Sequence, residues 1–371
     1  MDNHAVYKKL SSVGLLWLLC CGFYITKLTP VSPIYPAFCF LLFCMITSFL
    51  QKATFQVTKN SLFQFLIVLI AIALLLNSEL SLVINIIITL FSPVFVSYFF
   101  CNRVINKNYF LFVFLLYASL FCFDGYWRIS HPFTLNAEKL ESLGIGFQIY
   151  KVNSLMYLDS NFVGLQAIFF LSSFIYFFKK IKLFGFSCLL YYLVLGMLVV
   201  SIIISFSRAA VIAMIMLFGL NFLIGKRNAV VIISLLAPFF LFVGGYYVYS
   251  KFSSDISFES KFHILALTME YINNSSPIDI LLGVGVGNAV DAIGMGAHNL
   301  LVTFLLETGV IGLTIFMVIV LFLCVALRID SLIVILPFMV TSMSLGTTAV
   351  PYFLTLSSLA VLFKRGYFKI Q

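Results

Sequence analysis

Long apolar runs separated by short polar breaks fill this chain. They fall at 12–27, 33–50, 62–77, 81–101, 109–123, 161–178, 184–206, 209–225, 229–249, 299–326, 331–346 and 348–363. About 20 apolar residues in helical form cross the hydrocarbon core of a bilayer. The pattern therefore predicts an all-α, polytopic integral membrane protein of about twelve transmembrane helices, in a single domain over 1–371. The stretch 331–363, split near Thr347, also reads as a re-entrant pair. Two breaks are long, at about 124–160 and about 250–298. Inside the second, Phe262, Leu265, Ala266 and Met269 recur at i, i+3, i+4 and i+7. That spacing predicts an amphipathic helix over Ser257–Ile272, lying along the membrane surface.

Composition agrees with this picture. Of 371 residues, 63% are hydrophobic and only 9% are charged, too few to cover a soluble domain. The eight cysteines lie in or beside apolar runs and form no metal-like cluster, so they read as buried thiols. The formal charge of +9 would suit a nucleic-acid partner, but its placement argues against one. With a cytoplasmic N terminus, every Lys and Arg except Lys27, Arg128, Lys139, Lys151, Arg208, Lys251 and Lys261 falls on the cytoplasmic side. This follows the positive-inside rule. It puts both termini inside and both long loops outside, and the partner of the excess charge is the lipid bilayer.

Polar chemistry collects at 283–312, GVGVGNAVDAIGMGAHNLLVTFLLETGVIG. Closely spaced glycines let backbone N–H groups turn toward an anion, which makes Gly285 and Gly287 candidate phosphate contacts; they also make plain turns. No Gly-Lys-Ser/Thr follows, and an outer loop meets no cytoplasmic nucleotide. His298 and Asn299 open the next helix. Imidazole is a fit proton acceptor near neutral pH. Glu307, nine residues on, lies on the opposite side of a straight helix. Arg208, in Ser205-Phe-Ser-Arg-Ala-Ala210, sits at an outer turn against the charge bias, where it wants an anion or an acidic partner. Asp159 and Asn161 begin a span and read either as a cap or as a polar site. Arg128, His131, Lys151, Lys261 and His263 are further outer-loop candidates, or ordinary interfacial charges.

In this order, these pieces resemble the bacterial O-antigen polymerase and O-antigen ligase superfamily. They are Asp-x-Asn at a span start, Ser-Arg-Ala-Ala at an outer turn, and a basic residue ahead of Gly-Val-Gly-x-Gly. Ala-His-Asn and Glu-Thr-Gly-x-x-Gly follow. The resemblance covers about 155–315. The family's Asp-Pro-Asn is Asp159-Ser160-Asn161 here, and its loop arginine is Lys261, which offers charge without a bidentate fork.

The resemblance implies a GT-C-like membrane glycosyltransferase that moves glycan between polyprenyl-diphosphate-linked oligosaccharides, one serving as donor and one as acceptor. It implies a bacterial inner membrane location with the active site on the periplasmic face. A chain-length regulator and a flippase are expected partners, and nucleic acid is not. On this reading His298 and Arg208 are catalytic. Lys261, Asp159, Asn161, Gly285, Gly287, Asn299 and Arg128 bind substrate. No cofactor is expected and, with no Asp-x-Asp pattern, no metal. The alternatives are a ligase that moves glycan to a lipid A core and a lipid-linked oligosaccharide flippase.

Overall fold

Helix α1 runs over 13–20, α2 over Ile34–Leu50 and α3 over Leu80–Phe100. A short strand β1, Arg103–Ile105, leads into α4, Lys107–Ser130. A 3-10 turn at Gly146–Tyr150 precedes α5, Ser160–Phe178, then α6, Phe186–Ile204, and α7, Arg208–Leu223. Next come α8, Ile256–Asn274, and the short helices α9, Pro277–Leu282, and α10, Ala289–Ile293. The long α11, Leu300–Leu327, is followed by α12, Ser331–Val334, α13, Leu336–Ser342, and α14, Pro351–Lys364. The chain closes on β2, Phe368–Ile370. This computed structural model describes residues 13–25, 28–29, 31–50, 78, 80–135, 141, 146–157, 159–179, 181–224, 256–348 and 350–371. The expected spans at 62–77 and 229–249 lie outside the described residues.

The protein is a helical, membrane-embedded chain. Among the described residues five helical segments are long and apolar enough to cross a membrane: Leu82–Phe100, Lys107–Ser130, Ser160–Phe178, Phe186–Ile204 and Leu300–Val334. At 331–363 the expected split is real. Helices α12, α13 and α14 replace one continuous run, and 343–348 and 350 between the last two are non-helical.

Helix α5 is the axis of the bundle, with nearly every residue buried. Its Phe170 and Phe174 pack against Phe114 and Tyr117 of α4, the closest ring pair at 4.1 Å between centroids. On another side Phe169 meets Phe338 of α13 and Phe353 of α14, and those two rings stack on each other. The abundance of phenylalanine thus serves the interior of the bundle as well as its lipid-facing surface. The cysteines depart from expectation. All eight are free thiols, but of these Cys21 alone is fully buried and Cys39 faces outward.

The run 12–27 forms no full-length helix. Helix α1 stops at residue 20 and the chain turns inside the bundle. Non-helical backbone at that depth needs internal partners. The Tyr117 hydroxyl accepts the Gly22 N–H at 3.0 Å, and Gln166 Nε2 donates to the Gly22 carbonyl at 2.7 Å. Gln166 Oε1 in turn accepts from the Tyr157 hydroxyl at 2.7 Å. Helix α4 departs in the other direction, running to Ser130 instead of ending near residue 123. Asp124 and Arg128, one turn apart, pair at 2.8 Å and carry it onward.

The two strands pair in parallel, Arg103 opposite Phe368 and Ile105 opposite Ile370. Lys364 bridges to Asp330 at 2.9 Å. The residue 101–106 connection, the turn after α11 and the last residues of the chain therefore share one end of the molecule, away from His298.

Replacing Gln166 with Leu leaves the Gly22 carbonyl and the Tyr157 hydroxyl without partners. A loss of about 1–3 kcal/mol is expected, read as a lower unfolding temperature in detergent.

Candidate functional site

The glycine loop is built onto a break in α11. Gly309 has φ 65 and ψ −172, so the regular helix stops there and resumes beyond it. The carbonyls one turn earlier lose their intrahelical donors. The loop supplies replacements: Val284 N–H donates to Leu306 O at 2.8 Å and Gly285 N–H to Glu307 O at 3.1 Å. Gly283 and Gly309 touch backbone to backbone. Both have positive φ, and a Cβ on either would overlap main-chain atoms of the other segment. Only glycine fits such a crossing.

This corrects the expectation for the loop. The Gly285 N–H is spent on the helix, Val286 N–H donates to Ser78 Oγ at 2.9 Å, and the Gly287 N–H turns to the Glu307 carboxyl group. The loop is a joint that closes a broken helix, and Gly285 and Gly287 do not offer these donors to a phosphate. Glu307 is buried and accepts from Thr348 Oγ1 at 3.0 Å. As the helical wheel indicated, it does not meet His298.

His298 lies just ahead of α11 with φ 41, a left-handed backbone that costs a non-glycine residue about 1–3 kcal/mol. Buried Ala297 on one side and the capping Asn299 on the other hold it there. The imidazole is exposed at the mouth of a cavity of about 150 Å³. Lys261, Phe262, Leu265 and Met343 also line it. Lys261 Nζ donates to Ser344 Oγ at 2.8 Å, which ties α8 to the non-helical segment after α13. Asn299 is a cap first, its Oδ1 accepting from Leu301 N–H at 2.9 Å and Val302 N–H at 3.4 Å. Only its amide NH₂ is left for a ligand in the cavity.

Helix α8 forms as expected and buries a second face as well. Ile264 and Thr268 are buried, with Leu267 and Tyr271 packed against α10 and the start of α11. The stripe of Phe262, Leu265 and Met269 stays exposed, the side a membrane surface would take.

Arg208 stands at the first turn of α7, with Ser207 as its cap. The turn before it is fastened to the start of α5, where Ser160 Oγ donates to Ser205 O at 2.7 Å. Gly164 leaves room for Ser205 and Ser207 against α5. Phe147 organises the charges here. The Lys151 ammonium lies 5.1 Å from its ring centroid and the Arg208 guanidinium 5.6 Å. Lys151 Nζ donates to Asn161 Oδ1 at 3.3 Å, and Asp159 accepts both the backbone and side-chain N–H groups of Asn161, at 2.8 and 3.0 Å. Asp159 and Asn161 thus cap α5 and position Lys151, with most of their polar atoms already occupied.

Arg128 needs the clearest correction. It is 1% exposed, paired with Asp124, and donates to the carbonyls of Tyr150 at 2.9 Å and Ile204 at 3.2 Å. Asp124 also accepts from Ser154 Oγ and Leu155 N–H. The pair clamps three segments together, and substrate cannot reach it. His131 stacks on Trp127 at 3.8 Å and closes the end of α4, while His263 is exposed on α8.

Burial lowers the pKa of Lys151 below the ordinary lysine value. Asp159 opposes that shift, and the positive charges of Arg208, Arg128 and Lys261 add to it. Lys151 and Arg208 share the Phe147 ring, and Lys261 lies near enough to act on the Lys151 charge. Helices α5, α7 and α11 all begin at this end, turning the positive ends of their dipoles toward it. Such a region suits an anion, and His298 at its edge can accept a proton. The non-helical 343–348 segment was missed as part of the site. Its Ser344 and Thr348 hydroxyls, placed beside the split near Thr347, were the available signal.

A lysine whose folded pKa is lowered binds fewer protons folded than unfolded, so its contribution to stability rises with pH toward the ordinary value of 10.5. Lys151→Met should be at least as thermally stable as the native protein near neutral pH, and its advantage should shrink as pH climbs. A melting series across pH checks this. Against known proteins, no family model and no curated protein matches this chain.

Proposed function

We propose that the chain is a bacterial polysaccharide polymerase of GT-C-like architecture, set in the inner membrane with both termini in the cytoplasm. On this reading it transfers a growing glycan from its polyprenyl diphosphate carrier onto a new lipid-linked repeat unit at the periplasmic face. The observation that carries the proposal is the gathering of Arg208, Lys151 and Lys261 around the end of the bundle where His298 stands exposed. Nucleotide sugars do not occur on the periplasmic face, so an activated sugar arrives there on a lipid. Breaking its anomeric C–O bond leaves a polyprenyl diphosphate whose new negative charge needs fixed cations, a large term in such reactions.

Arg208 meets the diphosphate with a planar fork, and Lys151 and Lys261 add point charge. An anion beside Lys151 offsets the burial that lowers its pKa and favours the charged form, so binding and charge reinforce each other. His298 takes the proton of the attacking sugar hydroxyl. The exposed apolar face of α8 lies beside the cavity, where the polyprenyl chain of a donor can run.

Deleting the gene and examining surface polysaccharide on a gel tests the reaction. Single repeat units on the core are expected. A bare core with lipid-linked polymer accumulating would mean a ligase, and loss of units from the outer leaflet would mean a flippase. At residue level, His298→Ala and Arg208→Ala should each abolish chain elongation while the protein still inserts in the membrane. Normal chain length in either variant removes that residue from the mechanism.

A further inference from the structure

The opposite end of the bundle carries a second cationic feature that glycosyl transfer does not use. Helix α11 ends at Leu327, and Arg328 turns the chain with φ 48. The C terminus of α14 brings Lys364 and Arg365 beside it. Between the two helix ends is a cavity of about 500 Å³, lined by Phe322, Val325, Ala326, Arg328, Lys364 and Arg365. Lys364 is largely occupied. It pairs with Asp330 at 2.9 Å and donates to the Leu327 carbonyl. Arg328 and Arg365 are exposed, and neither has a carboxylate partner among the described residues.

Above the cavity, α11 leaves Val318, Leu321, Phe322 and Val325 exposed, at i, i+3, i+4 and i+7. They form one apolar track along a membrane-crossing helix, ending at the two arginines. We propose that this is a binding site for one anionic phospholipid. Its phosphate sits between Arg328 and Arg365, and an acyl chain lies along the α11 track. The guanidinium fork matches phosphate oxygens, and the arginine stems lie against apolar surface as they do at bilayer interfaces. A free phosphate would use the arginines and leave the track bare. An acidic protein segment would not follow a stripe set at hydrocarbon depth. The amphiphile accounts for both halves. The site rests only on the membrane character of the chain and is independent of the polymerase reading.

The test uses the full-length protein purified in detergent. It is incubated with equal amounts of phosphatidylglycerol and phosphatidylcholine of matched chains, and retained lipid is read by native mass spectrometry. One phosphatidylglycerol per chain is expected, in clear preference to phosphatidylcholine. Arg328→Ala with Arg365→Ala should lower its retention on the order of tenfold, from what each arginine contributes near an anionic lipid. Lys369→Ala, a cation at the same end but outside the cavity, should leave retention unchanged. Equal retention of the two lipids, or full retention by the double variant, overturns the proposal. So does displacement of the lipid by inorganic phosphate at the lipid's own concentration, which would mark the arginines as a free-anion site.

Discussion

Every backbone N–H and C=O buried in a hydrocarbon-embedded bundle must find a partner within the protein. Among the described residues, two buried breaks in this chain's helices satisfy that constraint differently. At residues 21–25 the side chains of Tyr117 and Gln166 take over the freed Gly22 groups. At Gly309 the main chain of the glycine loop does so, through Val284 and Gly285. The second solution fixes the loop against α11, and the loop leads through α10 to Ala297. His298 is thereby held at the rim of the Lys261 cavity in a backbone conformation it would not otherwise keep.

The same demand explains the roles of the charged residues. Arg128, buried, is surrounded by a carboxylate and two carbonyls, and it serves as a clamp. Arg208, exposed at a helix start, shares the Phe147 ring with Lys151 and lies where several helix dipoles point the same way. Two arginines, one near the end of α4 and one at the start of α7, thus do opposite work, and burial separates them. Asp159 and Asn161 fall between these cases, since as capping residues they also steer Lys151.

Much of the helical framework was legible from periodicity, because a span declares itself locally. Helices α5, α6, α7 and α11 begin and end within a few residues of the apolar runs that predicted them. The early stop of α1 was not legible. Its partners, Tyr117 and Gln166, lie far along the chain, and nothing near residue 20 announces them. The extension of α4 was half legible, since Asp124 and Arg128 stand one turn apart in sequence, while Tyr150 and Ile204 are tertiary partners. The glycine loop was misjudged for a specific reason. Glycine spacing reports that N–H groups can turn freely, but not which acceptor they find, and here the acceptor is the broken helix. His298, Lys261 and Arg208 were legible as unusual charges at apolar boundaries, and Phe147, which seats two of the cations, left no such mark.

The account rests on one region receiving a lipid-linked diphosphate between α7, α8 and the start of α11. Photolabelling of the membrane-embedded protein with a polyprenyl diphosphate carrying a photoreactive group near its phosphates, followed by peptide mapping, tests this most directly. The account predicts label at 205–208, at Lys151 or Lys261 and beside His298, competed by unlabelled carrier. Competable label confined to the Arg328 end, or label at the His298 end that the carrier does not compete, would contradict it.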